Sequence, residues 1–190
     1  MSKVKLLIVF VIAAGILTAI LASALFATFS KQTSGNTDDW SLVVNGLVQN
    51  PLNLTLDELN AMPRTTVSAV LYCVDYPSYP VAQGNWTGVK LSLLLEKAEA
   101  SPDAVKIAFT ASGDGYATDL TVSTTMRPDI IIAYELNGEP LSEKLRLVVP
   151  GKWGYKWISY LNHIELVNFD FKGFWESRGY SDEGEIPASP

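Results

Sequence analysis

An uncharged run from Leu6 to Ser30, rich in Leu, Ile, Val, Ala and Phe, limits what this chain can become more than any other feature. About 20 such residues span a bilayer, so residues 1–30 are expected to form one membrane anchor. Ala22-Ser23-Ala24 resembles a small-residue cleavage site. The apolar core of a cleaved signal is usually only about 7 to 15 residues, however, and here the run continues through Phe29, which favours an uncleaved anchor. Lys3 and Lys5 place the short amino end on the cytoplasmic side by the positive-inside rule. The rest is then expected outside: a single-pass protein of the cell membrane whose carboxy-terminal part is extracytoplasmic.

What remains of the 190 residues suffices for one domain with a real core. Residues 31–39 are polar and read as a linker, residues 40–180 as the domain, and residues 181–190 as an acidic tail. Without Lys3 and Lys5, 12 basic side chains face 20 acidic ones, a balance of about −8. Such a surface disfavours nucleic acid as a partner. Asn53-Leu54-Thr55 and Asn85-Trp86-Thr87 match the glycosylation sequon, a weak pattern.

Strand and turn signals dominate the domain. Trp40 to Gly46 reads as a strand followed by a hairpin-type turn, and Thr65 to Cys73 as a second strand. Between them Thr55 and Glu58 have capping-box spacing, and Pro63 closes the short helix. The stretch from Asp75 to Gly88, with Pro77, Pro80, Gly84 and Gly88, is expected to be irregular. Val89 to Ala100 carries leucines at helical spacing. Strands are expected over residues 105–110, 118–125, 130–136, 145–149 and 161–171. Ser112 to Gly115 is a tight turn, and Asn137-Gly138 the strongest hairpin signal. Trp153 to Tyr160 is ambiguous, and a polar, acidic tail is expected from Phe174. The resulting fold class is α+β with β predominant: mixed sheets and a few short helices.

Cys73, the only cysteine, falls where a strand runs into a loop. A lone exported thiol pairs with another chain, is buried and inert, or serves as a soft ligand or nucleophile. A zinc site needs three or four clustered ligands, and only Cys73 and His163 are of the preferred types. His163 is the sole base available to a cysteine hydrolase, and its setting reads more simply as a surface or strand-edge histidine. No glycine-rich phosphate loop or haem-attachment motif occurs. A soft metal brought by an organic cofactor would need only one such protein ligand.

The order of motifs resembles the sulfite oxidase-type molybdopterin-binding domain, the family that includes periplasmic methionine sulfoxide reductase catalytic subunits. The resemblance runs from about Trp40 to Tyr180, through Val44-Asn45-Gly46-Leu47-Val48, the strand ending at Cys73, Gly84 to Leu91 and Gly113-Asp114-Gly115-Tyr116. Ile132 to Leu141 is its most specific block, followed by Leu145 to Gly151, Gly154-Tyr155-Lys156, Gly173 to Glu176 and Gly179-Tyr180. It implies that Cys73 is the metal ligand of a molybdenum or tungsten molybdopterin, and that Tyr116 lies near the metal as a catalytic group. It further implies that Asp114, Gly151, Lys152, Gly154 and Lys156 bind the cofactor. The implied activity is oxygen-atom transfer on a small-molecule substrate, with a separate electron-transfer protein as partner.

The departures also inform. The arginine that sulfite oxidases carry shortly after the metal cysteine is absent from Val74-Asp75-Tyr76-Pro77-Ser78-Tyr79, which argues against sulfite. The connection from Pro140 to Arg146 is short and lacks the family's His-Gly, and Ser159 stands where a second basic residue is usual. The alternative expectation is a cofactor-free binding or interaction domain that retains the fold.

Overall fold

The computed structural model describes residues 40–187. The anchor expected over residues 1–30, the linker over 31–39 and the last residues of the tail lie outside the described residues. No helix among those described is long and apolar enough to cross a membrane.

Two five-stranded sheets share one core. The first is built from β1 (Leu42–Gly46), β2 (Leu52–Leu54), β5 (Lys106–Ala111), β6 (Ala117–Thr121) and β10 (Leu161–Val167), in the order β2-β1-β10-β5-β6. Only β1 and β10 run parallel there. The second orders β3 (Arg64–Cys73), β4 (Tyr76–Lys90), β7 (Ile131–Leu136) and β8 (Glu139–Pro140), with β9 (Arg146–Val148) also paired to β7. The helices are short: α1 (Leu56–Asn60), α2 (Leu91–Lys97) and α3 (Val122–Thr125). Alternating apolar residues of the first sheet, such as Val44, Phe109 and Ile164, meet Leu71, Trp86, Ile132 and Leu147 of the second. This is the mixed-sheet α+β class expected.

Local signals hold where the hydrogen bonds are local. Thr55 caps α1, its hydroxyl accepting from the Glu58 N–H while the Glu58 carboxylate accepts from the Thr55 N–H at 2.8 Å. Asn137 and Gly138 adopt φ of +54° and +86°, the left-handed pair a tight hairpin needs, and β8 and β9 return against β7.

Several elements differ from expectation. The stretch from Asp75 to Gly88 is not irregular but lies almost wholly in β4, paired antiparallel with β3. Its prolines fall near the exposed tip, where the register shifts and Pro77 has no cross-strand partner. Its glycines permit close approach: a Cβ on Gly88 would collide with the Ile132 carbonyl, and one on Gly84 with the Asn137 side chain. The expected helix loses its first residues to this strand, because Val89 and Lys90 pair with Ile132 and Ile131. What remains as α2 buries Leu91, Leu94 and Leu95, each worth about 1.5–3 kcal/mol on full burial. β6 stops at Thr121, whose hydroxyl caps α3, and β10 ends at Val167. Trp153 to Tyr160 is neither helix nor strand beyond a single 3-10 turn, Gly154–Lys156. Beyond Phe174 the chain makes another such turn, Glu176–Arg178, and buries Glu176.

Candidate active site

The β3–β4 hairpin carries Cys73, half-buried, to the edge of a cavity of about 380 Å³. The 3-10 turn at Gly154–Lys156 forms the facing wall. Only glycine at position 154 lets that turn approach so near, since a Cβ would sit 2.8 Å from the Tyr72 carbonyl oxygen and 3.2 Å from Leu71 Cδ1. Tyr155 and Trp157 thereby come to face the end of β3 across the cavity.

Tyr116 arrives from the β5–β6 turn. The Asp114 carboxylate accepts its backbone N–H at 3.0 Å, and Gly113 and Gly115 take φ of +96° and +71° to make the bend. Its hydroxyl donates to the Tyr155 carbonyl at 2.6 Å, joining the two walls. Burial first, and the Glu176 carboxylate second, push the Tyr116 phenol well above the usual tyrosine range. The same causes push Tyr155 up to about 12. Both phenols therefore stay protonated at ordinary pH.

Asp114 lines an adjoining cavity of about 330 Å³ with Ser112 and Tyr160, and Tyr116 and Ser159 border both spaces. Cys73, Tyr116 and Gly154 thus share one cavity, with Asp114 next door. Gly151, Lys152 and Lys156 line neither. Lys156 is fully buried, its ammonium donating to Glu176 Oε1 at 2.6 Å and to the carbonyl and carboxylate of Asp119 at 3.0 and 3.3 Å. Lys152 donates to the Glu183 carbonyl at 2.6 Å and to Glu185 Oε1 at 2.8 Å. The segment at 181–187 is therefore a docked arm: Trp153 N–H donates to the Gly184 carbonyl, and Ile186 N–H to that of Gly151.

The cation that does line the cavity is Arg146, which sequence reasoning passed over. Its Nε donates to Glu143 Oε1 at 2.8 Å and Nη1 to the Trp157 carbonyl at 3.2 Å. A charge inside the apolar run Leu145-Arg146-Leu147-Val148-Val149 was the available signal, since a strand buries a charge only where it is paired. Trp175 was likewise missed as a wall. His163 lies elsewhere, Nε2 sharing a hydrogen bond with Asn45 Oδ1 at 2.8 Å, and lines neither cavity.

The space lies in the size range of sites for small organic molecules, about 300–1,000 Å³. Its aromatic walls, one soft thiol and one guanidinium fit a planar, partly anionic group that carries a thiophilic metal. The chain belongs to the oxidoreductase molybdopterin binding domain family, whose model matches residues 30–175. It is 30% identical over 150 residues to the uncharacterized oxidoreductase YuiH of Bacillus subtilis, covering 77% of this chain and 74% of that protein. It is 31% identical over 144 residues to the putative protein-methionine-sulfoxide reductase subunit YedZ1 of Azospira oryzae, covering 74% of this chain and 53% of that one. The sulfane dehydrogenase SoxCD of Paracoccus pantotrophus superposes with a TM-score of 0.64 at 26% identity, over 69% of this chain and 39% of that one. The chain thus spans only about half or less of two of these three relatives.

Proposed function

We propose that this chain is a membrane-anchored, extracytoplasmic molybdopterin-dependent oxidoreductase that transfers an oxygen atom to or from a small substrate. One observation carries the reading: in a member of this family, the sole thiol and Tyr116 face one cavity of about 380 Å³. When bound, the cofactor supplies the two-electron oxygen-atom chemistry. The protein's part is to bind and orient.

Cys73 would provide the single soft protein ligand to molybdenum or tungsten. Arg146 would offer its guanidinium to an anionic part of the cofactor, and Gly154 lets the facing wall approach the end of β3. Tyr116 keeps its phenol protonated and can turn that proton from the Tyr155 carbonyl toward an oxygen in the cavity. Asp75, also on the wall, opposes an anionic substrate near the thiol, in keeping with the missing arginine. A separate electron-transfer protein exchanges the electrons. The run from Leu6 to Ser30 holds the domain at the outer face of the membrane.

The competing reading, a cofactor-free interaction domain, draws on Lys152 and Lys156 being occupied by carboxylates. Metal and pterin analysis of protein made in a molybdate-fed, cofactor-competent host separates the two. About one metal and one pterin per chain are expected, both lost in Cys73→Ser, whose stability should match that of the cofactor-free parent to within about 1 kcal/mol, as for a substitution outside the packed core. Absence of both molybdenum and tungsten from the unmodified chain would sink the enzyme reading.

A further inference from the structure

The most deeply buried acid of the carboxy-terminal segment lines neither cavity. The Glu176 side chain is fully buried in the 3-10 turn after Trp175. Its Oε1 accepts from the Thr118 hydroxyl at 2.7 Å and from the Lys156 ammonium at 2.6 Å. Its Oε2 has no hydrogen-bond partner among the described residues.

We infer that Glu176 is a positioning residue of the Cys73 cavity, holding Tyr116, Tyr155 and Trp175 in register through Thr118 and Lys156. This rests on the reading of that cavity as the functional site. The connectivity is short on every side. Thr118 lies two residues beyond Tyr116, Lys156 directly follows Tyr155, and Trp175 directly precedes Glu176. The three segments are also tied to one another, Tyr116 to the Tyr155 carbonyl at 2.6 Å and the Phe174 N–H to the Ala117 carbonyl at 2.8 Å. The fit is close: a Cβ on Gly173 would stand 2.5 Å from Thr118 Cα and 2.6 Å from Glu176 Oε2.

A shape-filling residue would not need the charge. Leaving one carboxylate oxygen buried without a partner costs free energy. A buried ion pair is often no more stabilising than well-packed apolar side chains of similar volume. The charge is instead felt by the cavity, where Glu176 acts on both Tyr116 and Tyr155. The other groups facing these phenols are the carboxylates of Asp114, Asp119 and Asp182, the Tyr155 phenol beside Tyr116, and the Lys156 ammonium 5.8 Å from the Tyr155 ring centroid; none of the three aspartates bonds to all three walls.

The test uses the full purified chain labelled with 3-fluorotyrosine, without cofactor. Its ¹⁹F signals for Tyr116 and Tyr155 are assigned by Tyr116→Phe and Tyr155→Phe. Glu176→Gln keeps an oxygen for Thr118 and Lys156 but removes the charge. Both signals are expected to move and to titrate at lower pH than in the parent, while the exposed tyrosines stay in place. A folded Glu176→Gln protein in which either signal keeps its position and titration overturns the inference. If that variant does not fold cooperatively, Thr118→Val decides. It removes one anchor and keeps the shape, so the Tyr116 signal is expected to move, and an unmoved signal overturns the inference. Because no metal is present, these outcomes are independent of cofactor content and so of the proposed function.

Discussion

Lys156 and Arg146 are both cations drawn into the interior, yet they do opposite things. Lys156 is enclosed by Glu176 and Asp119 and reaches no cavity. Arg146, held by Glu143 and the Trp157 carbonyl, still lines the space beside Cys73. A cation's place in a motif therefore does not say what it will bind. The nearest carboxylate decides, since a buried ammonium left unpaired costs several kcal/mol.

Breaking the enclosed pair should have the largest effect. Lys156→Met leaves Glu176 and Asp119 without their shared ammonium. It is expected to cost about 3–5 kcal/mol in denaturant unfolding, and a loss below about 1 kcal/mol would mean that the pair is not enclosed at all. Arg146→Gln should cost less, about 1–3 kcal/mol for hydrogen bonds from a charged donor. Unlike Lys156→Met, it should lower the pterin content of protein that remains folded. Unchanged pterin in folded Arg146→Gln would erase the distinction between the two cations.

Acid should separate the two environments as well. Burial opposes ionisation of Asp182, yet the Lys106 and Lys172 ammonium groups hold its carboxyl below the usual carboxylate range. Burial likewise opposes ionisation of Glu143, where its own backbone N–H and Arg146 prevail. A lowered folded pKa contributes stability that is complete above the unfolded value, about 4, and lost as pH falls through the folded one. Asp119 has the opposite sign, its carboxyl being raised by burial ahead of any help from Lys106 and Lys156. Stability should therefore fall below about pH 4, and Asp182→Asn should flatten part of that fall. An acid limb in Asp182→Asn identical to the parent's would remove Asp182 from the account.

The smallest effect belongs to the docked arm. Glu183 and Glu185 are about 60% exposed on their side chains. Glu183→Gln with Glu185→Gln should therefore cost no more than about 1 kcal/mol for each pair, and less in high salt. Lys152 itself is buried, but the Glu183 carbonyl and the new amide oxygens can still accept from its ammonium; a larger loss would mean that Lys152, like Lys156, depends on its carboxylates.

Much of the scaffold was legible because its cues act over a few residues. The Thr55–Glu58 box, the Asn137-Gly138 hairpin, the turn at residues 112–115 and the placement of Cys73 at a strand end all follow from neighbours in the chain. The strand from Tyr76 to Lys90 was hidden because its glycines serve approach to Ile132 and Asn137, contacts made across the fold. The cavity's Arg146 and Trp175 were hidden for the same reason: an apolar run and a terminal segment become walls only once Cys73 stands opposite.

By itself, the order of residues determined the class of fold, the lone soft thiol at the end of a strand, and the family that these imply. Only the tertiary structure decided which cation reaches the cavity. Capping, turns and alternation depend on short-range backbone geometry, which neighbours in sequence carry. The fate of a lysine depends on desolvation and on carboxylates 20 to 37 positions away, Glu176 and Asp119 for Lys156, and those distances exist only after the two sheets have packed.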